Sequence, residues 1–337
     1  MASSHPTTDL TVPLTQKAAI VERSGGPVRI VERRVAQPSE LKSGEILVKL
    51  LYSGVCHTDV HIAQGALGEP PIQPLIGGHE GTGVIVAIGD GTTTQFKVGQ
   101  AVGINWPAKT CLSCEAHATH VTPIPESLPL HSAAPILCAG LSVYGALKES
   151  NTEPGDIIVI TGAGGGLGHL AIQYAINVFD LRVIAVDTGD NKRELCLKLG
   201  AEAFVDFKAS RTSQNVIEEV KKAADGAGAH AVLVTSSAAN SYEGVVDYLR
   251  PRGTLLALGA SLGCMINIDI ITVMSRCITI KGMVTGNRDI MRQALDIAAR
   301  GRVNTICRIE PLAKLPEVFE ELQAGKLAGR VVLDLWK

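Results

Sequence analysis

The sequence has no run of basic residues and little net charge, and this excludes the usual electrostatic pattern of nucleic-acid binding. Its 337 residues include 31 Lys and Arg against 33 Asp and Glu, which gives a formal net charge of −2. Proteins that bind phosphate backbones usually carry a concentrated basic surface. We therefore expect a small-molecule partner and no nucleic acid.

Long apolar runs and a secretory signal are also missing. No stretch has the apolar length that spans a bilayer, and the N-terminus lacks a basic start followed by an apolar core. We expect a flexible leader over residues 1–16, no membrane association and a cytoplasmic protein. The eight cysteines should then stay reduced, so those in polar surroundings are candidate metal ligands.

The rest of the chain divides into two parts with different sequence patterns. From residue 17 to about residue 102, short β-type runs such as EILVKLLYSG and TGVIVAIG lie between glycines. After NTEPGD, apolar strand-like runs such as IIVIT and RVIAV alternate with helical stretches. The fold class is therefore α/β, with a β-rich domain and a doubly wound parallel sheet. The final PEVFEELQAGKLAGRVVLDLW predicts a helix, a turn and a strand that returns to the first domain.

A glycine-rich turn between a predicted strand and a predicted helix is the candidate nucleotide site. Missing side chains there let a pyrophosphate approach the backbone amides at the helix N-terminus. Asp187 ends the next strand, where a carboxylate accepts ribose hydroxyls and favours NAD over NADP; the alternative is an ordinary strand-end residue. Lys192 faces a ribose, a phosphate or solvent. The residues of the turn are Gly162, Gly164, Gly165, Gly166, Leu167 and Gly168.

Three further segments, GVCHTDVH, GGHEG and PILCAG, place cysteine and histidine in turns bordered by glycine. Together Cys56, His79 and Cys138 would make a site of two sulfurs and one nitrogen, with the fourth zinc position open for catalysis. Taken singly, each has a simpler interpretation. A histidine in a turn is usually solvated, and Cys138 beside APIL could fill the core.

In these motifs and their order the sequence resembles, over nearly its full length, the zinc-dependent medium-chain alcohol dehydrogenases, in particular their microbial branch. The resemblance implies a GroES-like catalytic domain split around a Rossmann domain. The expected boundaries are 17–145 with 286–337 for the first, which would be shortened after residue 115, and 146–285 for the second.

The same resemblance implies residue roles at the metal. Cys56, His79 and Cys138 would hold the catalytic zinc, and Glu80 would move onto the metal when its fourth ligand exchanges. Asp59 would orient the His79 ring as a hydrogen-bond acceptor.

Other roles implied by the resemblance concern the cofactor and the proton. His57 and Arg330 would contact the cofactor pyrophosphate. The Thr58 hydroxyl would bind the alcohol and pass its proton through the nicotinamide ribose to His61. Zinc would acidify the alcohol and NAD would accept the hydride.

The function that follows is NAD- and zinc-dependent interconversion of primary alcohols and aldehydes. The family also suggests a homodimer or homotetramer in which CITIKGM continues the sheet across a two-fold axis. The alternative is a catalytically impaired nucleotide-binding or interaction protein, and it is motivated by the segment CLSCEAHATH.

CLSCEAHATH stands where the family carries a structural-zinc lobe of four cysteines. Cys111 and Cys114 match two of the ligands, but about thirty residues of the pattern, including two cysteines and strand material, are absent. Either His117 and His120 complete a zinc site, or the two cysteines are a remnant without metal. The loss predicts uncovered sheet edges and apolar surface in the catalytic domain.

Overall fold

Three β-sheets organise the chain, and helices pack mainly against one of them. The computed structural model of the protein describes residues 9–70, 72–105, 115–210, 212–259, 261 and 263–337. The strands in chain order are β1 Thr15–Val21, β2 Val28–Arg34, β3 Glu45–Gly54, β4 Leu75–Ile76, β5 Glu80–Ile88, β6 Ala101–Asn105, β7 Glu115–His117, β8 Val121–Pro123, β9 Ile157–Thr161, β10 Arg182–Asp187, β11 Ala203–Asp206, β12 Ala229–Val234, β13 Leu249–Ala257, β14 Thr279–Gly282, β15 Cys307–Pro311 and β16 Arg330–Asp334.

The helices lie mostly in the second half of the chain. They are α1 His57–Ala63, α2 Leu130–Ala133, α3 Ala139–Lys148, α4 Gly168–Phe179, α5 Asp190–Lys198, α6 Ser213–Ala223, α7 Ile270–Arg276, α8 Arg288–Ala299 and α9 Leu315–Gln323, with 3-10 turns at Pro38–Glu40, Ala134–Leu137, Val245–Tyr248 and Leu312–Lys314. Side-chain caps start three of the helices, because Thr212, Asp269 and Asn287 accept the first free backbone N–H groups of α6, α7 and α8. Within the described ranges no single helix has the length and apolar character to cross a membrane. The bent pair Leu130–Leu137 and Ala139–Lys148 has sufficient length and apolar character only when its two segments are taken together.

The six-stranded sheet confirms the predicted doubly wound arrangement. Its order is β11-β10-β9-β12-β13-β14, and every neighbouring pair is parallel. Each residue of β9 is buried, as expected for a strand covered on both faces. The chain order reverses at β9, so the turn that follows β9 lies at the switch point where such sheets bind ligands.

The seven-stranded sheet joins the two ends of the chain. Its order is β15-β16-β3-β5-β6-β8, with β7 also paired to β3. The strand β3 has the bounds of the predicted run EILVKLLYSG. The strand β16 pairs antiparallel with β3, placing Val332 opposite Gly54 and Asp334 opposite Tyr52. The predicted return of the last segment to the first domain is therefore confirmed.

Two short strands follow directly after the segment expected to be shortened. The strand β7 pairs antiparallel with residues 45–47 of β3, and β8 pairs with residues 102–104 of β6. The edges that the sequence led us to expect uncovered at this point are thus paired in part. The cluster beneath them contains Ile46, Val48, Ile85, Val102 and Ile104, all fully or nearly fully buried.

Apolar space remains beside the small three-stranded sheet, whose order is β2-β1-β4. A cavity of about 520 Å³ opens between this sheet, β3, β5, α9 and β16. Its lining is mainly apolar, with Val21, Leu47 and Phe319 among its walls, and it reaches Asp59 and His79. The catalytic half therefore contains a mainly apolar space that is partly open to solvent and reaches the support of the metal ligands.

Candidate active site

Four potential metal ligands converge where β3, β5 and α3 meet. Their donor atoms, from Cys56, His79, Glu80 and Cys138, all lie within 4.8 Å of one another. His79 Nε2 is 3.2 Å from the Cys138 Sγ and 3.9 Å from the Glu80 Oε1. No other group of three or more His, Cys, Asp or Glu side chains is so arranged in the part of the chain that the structure describes.

Local backbone features bring these side chains together. Cys56 is the residue before the first turn of α1, and Cys138 stands between a 3-10 turn and α3. At Gly54 a Cβ would lie 1.9 Å from the Glu80 Oε2, so only glycine at this end of β3 leaves room for the carboxylate. The ligand cluster thus depends on a missing side chain in the neighbouring strand.

The buried Asp59 carboxylate holds the His79 ring. Its Oδ1 is 2.8 Å from the His79 Nδ1, and its Oδ2 accepts the Cys56 backbone N–H at 2.9 Å. A proton on Nδ1 turns the Nε2 lone pair toward the thiols, which is the tautomer that a metal requires. Burial alone would lower the pKa of His79, but Asp59 and Cys56 raise it to about 11, so a metal would have to displace the proton on Nε2.

Electrostatics prepare the cluster for a cation. Hydrogen bonding to Cys138 brings the pKa of the Cys56 thiol well below its ordinary value, while the same contact raises the pKa of Cys138. Burial raises the pKa of Glu80 to about 7 against the opposing charge of Arg330. The Glu80 Oε2 is buried without a hydrogen-bond partner. Two sulfurs, one imidazole nitrogen and a carboxylate suit zinc, and such an ion would give this oxygen a partner.

Arg330 lies between the ligand cluster and the glycine-rich turn. It is 5% exposed, and its Nη2 donates a short hydrogen bond to the Glu80 Oε1. A Cβ at Gly166 would be 2.7 Å from the Arg330 Cδ, so the arginine stem passes directly along the turn. Its Nε is buried without a partner, which leaves a donor at the position where a phosphate was expected.

The turn after β9 has the geometry of a nucleotide-binding loop. Gly162 has a φ of 70°, and a Cβ at Gly168 would fall 2.3 Å from the Gly162 carbonyl oxygen. Glycine is therefore required for the turn itself and for its close approach to α4. Gly164, Gly165 and Leu167 complete the connection between β9 and α4.

Asp187 is tied to this turn and is 4% exposed. Its Oδ2 accepts the Gly164 N–H at 2.9 Å, and its Oδ1 accepts the Thr188 N–H at 2.8 Å and the Lys192 Nζ at 3.0 Å. The structure thus brings the predicted acidic residue, the lysine and the turn together.

The α1 side chains differ in their surroundings. The Thr58 Oγ1 lies 3.6 Å from the Cys56 Sγ. One turn later, the His61 Nε2 is buried without a partner. The His57 ring hydrogen-bonds the Leu322 carbonyl oxygen on α9 at 3.0 Å, and burial lowers its pKa. Its ring centroid is 6.1 Å from that of His61.

The possible second metal site is only partly visible. Cys111 and Cys114 lie outside the described residues. The rings of His117 and His120 are 5.6 Å apart, and their Nδ1 atoms lie 2.6 Å and 3.1 Å from the Thr119 hydroxyl. Whether these histidines join the two cysteines around an ion stays a prediction.

One buried residue of the site was missed from the sequence. His169, in the first turn of α4, is fully buried and contacts the glycine-rich turn. The available signal was a histidine within the otherwise apolar start of GHLAIQYAINVF.

Known families and proteins match nearly the whole chain. Residues 42–160 match the family described as alcohol dehydrogenase GroES-like domain, and residues 166–300 match zinc-binding dehydrogenase. The alcohol dehydrogenase of Schizosaccharomyces pombe is 42% identical, with 97% of this chain and all of the relative covered. Alcohol dehydrogenase 1 of Emericella nidulans is 38% identical, over 97% and 99% of the two chains.

A solved structure agrees with these relatives. The alcohol dehydrogenase of Aeropyrum pernix superposes with a TM-score of 0.82 at 27% identity, covering 94% of this chain and 99% of its own. The alignment with the S. pombe protein extends over 359 positions, which exceeds the 337 residues here. The relative therefore has residues with no counterpart in this chain.

Replacing Asp59 with asparagine should weaken metal binding by about 10- to 100-fold, because an amide cannot accept hydrogen bonds from both His79 and the Cys56 N–H. Competition with a chromophoric zinc chelator measures the change. Asp9→Asn, an exposed carboxylate paired with Lys49, is the matched control and should leave the affinity unaltered. Equal zinc affinity in the Asp59→Asn protein and the wild type would show that Asp59 does not support the ligand.

Proposed function

The chain belongs to the zinc-dependent medium-chain alcohol dehydrogenases, and on this basis we propose that it interconverts primary alcohols and aldehydes with NAD at the cluster around His79. Membership makes it an NAD-dependent oxidoreductase whose cofactors are zinc and NAD. The observation that carries the assignment of the site is the convergence of Cys56, His79, Glu80 and Cys138 within 4.8 Å. We also propose that the chain divides into a catalytic domain of residues 17–145 with 286–337 and a nucleotide-binding domain of residues 146–285. The position of β15 and β16 beside β3 in one sheet supports this division.

The donors present fit zinc, and three of them would hold it. Cys56, His79 and Cys138 would be the permanent ligands, with Glu80 close enough to exchange onto the ion. Zinc held there would supply Lewis acidity toward an alcohol oxygen, and NAD would supply the hydride acceptor. The protein's own contribution is to fix the His79 tautomer through Asp59 and to keep Glu80 in place through Arg330.

The proton of the alcohol would leave along α1. The Thr58 hydroxyl faces the Cys56 sulfur, so it is near enough to the donors to hydrogen-bond an alcohol held there. His61 follows one turn later with a buried Nε2 that has no other partner, so it has a site ready to take up a proton. The assignment of Thr58 and His61 as the relay rests on this arrangement and on the family resemblance.

The cofactor would lie along the turn between β9 and α4. Beside the turn, Arg330 offers its unpaired Nε to a pyrophosphate. Asp187 with Lys192 stands at the end of β10, where an adenosine ribose is bound in such sheets. A carboxylate at this position would repel a 2′-phosphate, which supports NAD over NADP. His57 remains a proposed pyrophosphate contact whose ring would first release the Leu322 carbonyl.

A catalytically silent nucleotide-binding protein is the less favoured alternative. That alternative assumes that the shortened chain fails to assemble the metal ligands. The four donors nevertheless converge, and Asp59 and Arg330 support them from both sides.

An apolar face on the nucleotide half supports a homodimer or homotetramer. None of the residues of α7 is buried, although its sequence is IITVMSR, and the edge strand β14 exposes Ile280. The cytoplasmic location of the protein stays a prediction.

A second copy of the chain would cover the apolar side chains of α7 and β14 and continue the six-stranded sheet at its free edge. The exposed apolar residues of this face are Met265, Ile270, Ile271, Met274 and Ile280.

Thr58→Val keeps the shape of the side chain and removes its hydroxyl, so alcohol-dependent NAD reduction should fall by about 10²- to 10⁴-fold. Initial rates of NADH formation with a panel of primary alcohols measure the effect, and Thr58→Ser is the matched variant that should retain activity. Zinc content and NADH binding should stay as in the wild type. A wild-type protein that holds zinc but oxidises none of the alcohols would contradict the proposed function.

Zinc per chain distinguishes the two hypotheses for CLSCEAHATH. After removal of loosely bound metal, we expect roughly one equivalent by elemental analysis, with no change in Cys111→Ser, because only the cluster around His79 would hold an ion. About two equivalents that fall to one in Cys111→Ser would mean that His117 and His120 complete a second site. No retained zinc would argue against assembly of the active site.

Placing charges on the apolar face should shift the protein toward the monomer. Ile271→Glu combined with Met274→Glu makes burial of α7 costly, which sedimentation velocity would detect as a lower mass. Leu197→Glu, on an exposed apolar residue of α5, is the control and should leave the assembly intact. An unchanged mass in the double variant would exclude this face as the interface.

A further inference from the structure

His169 touches both the glycine-rich turn and Ile306, the residue before β15 whose carbonyl accepts the Arg330 N–H. The Nδ1 of its ring lies 3.0 Å from the Gly165 carbonyl oxygen. On the other side of the ring, the Ile306 backbone N–H points at Nε2 with a separation of 3.3 Å. The side chain is fully buried, so both contacts are made without competing water.

These partners determine the state of the ring. A backbone N–H is only a donor, so Nε2 must accept from Ile306, and the proton must sit on Nδ1 and be donated to Gly165. Burial lowers the pKa of His169 to about 4, which keeps the ring neutral. His169 is therefore a fixed two-sided link and does not take part in proton transfer.

The link continues from Ile306 to the ligand cluster. The Ile306 carbonyl accepts the Arg330 N–H at 2.9 Å, and the Arg330 guanidinium pairs with Glu80. A second hydrogen bond joins the residue before β16 to the glycine-rich turn, because the Gly329 N–H donates to the Gly164 carbonyl at 2.9 Å. Three residues, His169, Ile306 and Arg330, thus connect the carbonyl of Gly165 to the carboxylate of Glu80 through hydrogen bonds.

The same helix carries natural controls. One turn after His169, Gln173 donates to the Asn304 carbonyl at 2.9 Å and accepts the Asn304 N–H at 2.8 Å. A further turn on, Asn177 donates to the Arg302 carbonyl. These residues bind the same segment, 302–306, but neither of them touches the glycine-rich turn with its side chain. Variants of these residues therefore test the packing of α4 on segment 302–306 separately from the hydrogen bond of His169 to the turn.

We propose that His169 is a positioning residue for hydride transfer, which holds the pyrophosphate turn at a fixed distance from the metal cluster through Ile306 and Arg330. The inference rests on the proposed function for its effect on turnover, but its effect on nucleotide binding stands apart from it. The His169 ring hydrogen-bonds backbone groups and lies outside the set of metal ligands Cys56, His79, Glu80 and Cys138. Its removal acts through the turn and through Arg330.

The test compares His169→Leu with Gln173→Leu in the full-length protein. Each change removes the acceptor of a backbone N–H, that of Ile306 or that of Asn304, so thermal unfolding should shift down in both. The Gly165 carbonyl accepts the His169 ring N–H and also the backbone N–H of residue 169. Only His169→Leu removes the ring hydrogen bond, so only this variant should raise the NADH dissociation constant, by about tenfold or more, in fluorescence titrations. It should also lower kcat at saturating NAD with zinc content unchanged.

Conservative variants complete the design. His169→Gln should keep NADH binding within about threefold of the wild type, because Gln173 on the same helix makes an equivalent pair. Its amide donates to the carbonyl four residues earlier, that of His169, and its oxygen accepts the Asn304 N–H. His169→Asn is too short to span both partners and should behave like His169→Leu, which keeps the test decisive if the leucine variant does not fold.

Equal NADH affinities in the His169→Leu and Gln173→Leu proteins would overturn the proposal and leave His169 a purely structural residue. A wild type that binds NADH but oxidises no alcohol would count against the proposed function instead. The dissociation constants would still test His169, so the two failures are distinguishable.

Discussion

The buried ion pair between Arg330 and Glu80 is the interaction on which the rest of the site depends. Its partners are 250 residues apart in the chain, and both are almost completely removed from solvent. A buried charge without its partner costs several kcal/mol, so loss of either side chain alone would strongly destabilise the sheet that contains β16 and β5. Because the arginine stem also passes along Gly166, the pair fixes the metal ligands and the nucleotide turn as one unit.

The other charged contacts follow from this arrangement. Asp59 uses one oxygen to set the tautomer of His79 and the other to start α1 at Cys56. Asp187 likewise has two partners, because its carboxylate accepts hydrogen bonds from the Gly164 N–H of the turn and from the Lys192 Nζ. In both cases a carboxylate that could serve a ligand also supports the backbone that surrounds the ligand. Substitutions at either residue would therefore change the shape of the site together with its charge.

The sequence was most informative where local pattern determines structure. The bounds of β3 matched its apolar run, and the turn after β9 was predicted from its glycines. In both cases the signal, a hydrophobic pattern or a group of glycines, lies in neighbouring residues of the sequence. The meeting of Cys56, His79 and Cys138 was predictable from three short motifs and a family resemblance. The pairing of Arg330 with Glu80, the His57 contact with Leu322 and the role of His169 were not, since each depends on elements distant in sequence. The strands β7 and β8 were missed because three-residue strands carry no period of their own.

The cavity beside β1 gives solvent a route to the residues that support the metal ligands. This space of about 520 Å³ is partly open to the surface and reaches Asp59 and His79, whereas every residue of β9 in the parallel sheet is buried. Backbone N–H groups exchange their hydrogen most readily where few buried contacts cover them. Hydrogen exchange with solvent would therefore begin at the walls next to His79 and Asp59 before it reached the parallel sheet.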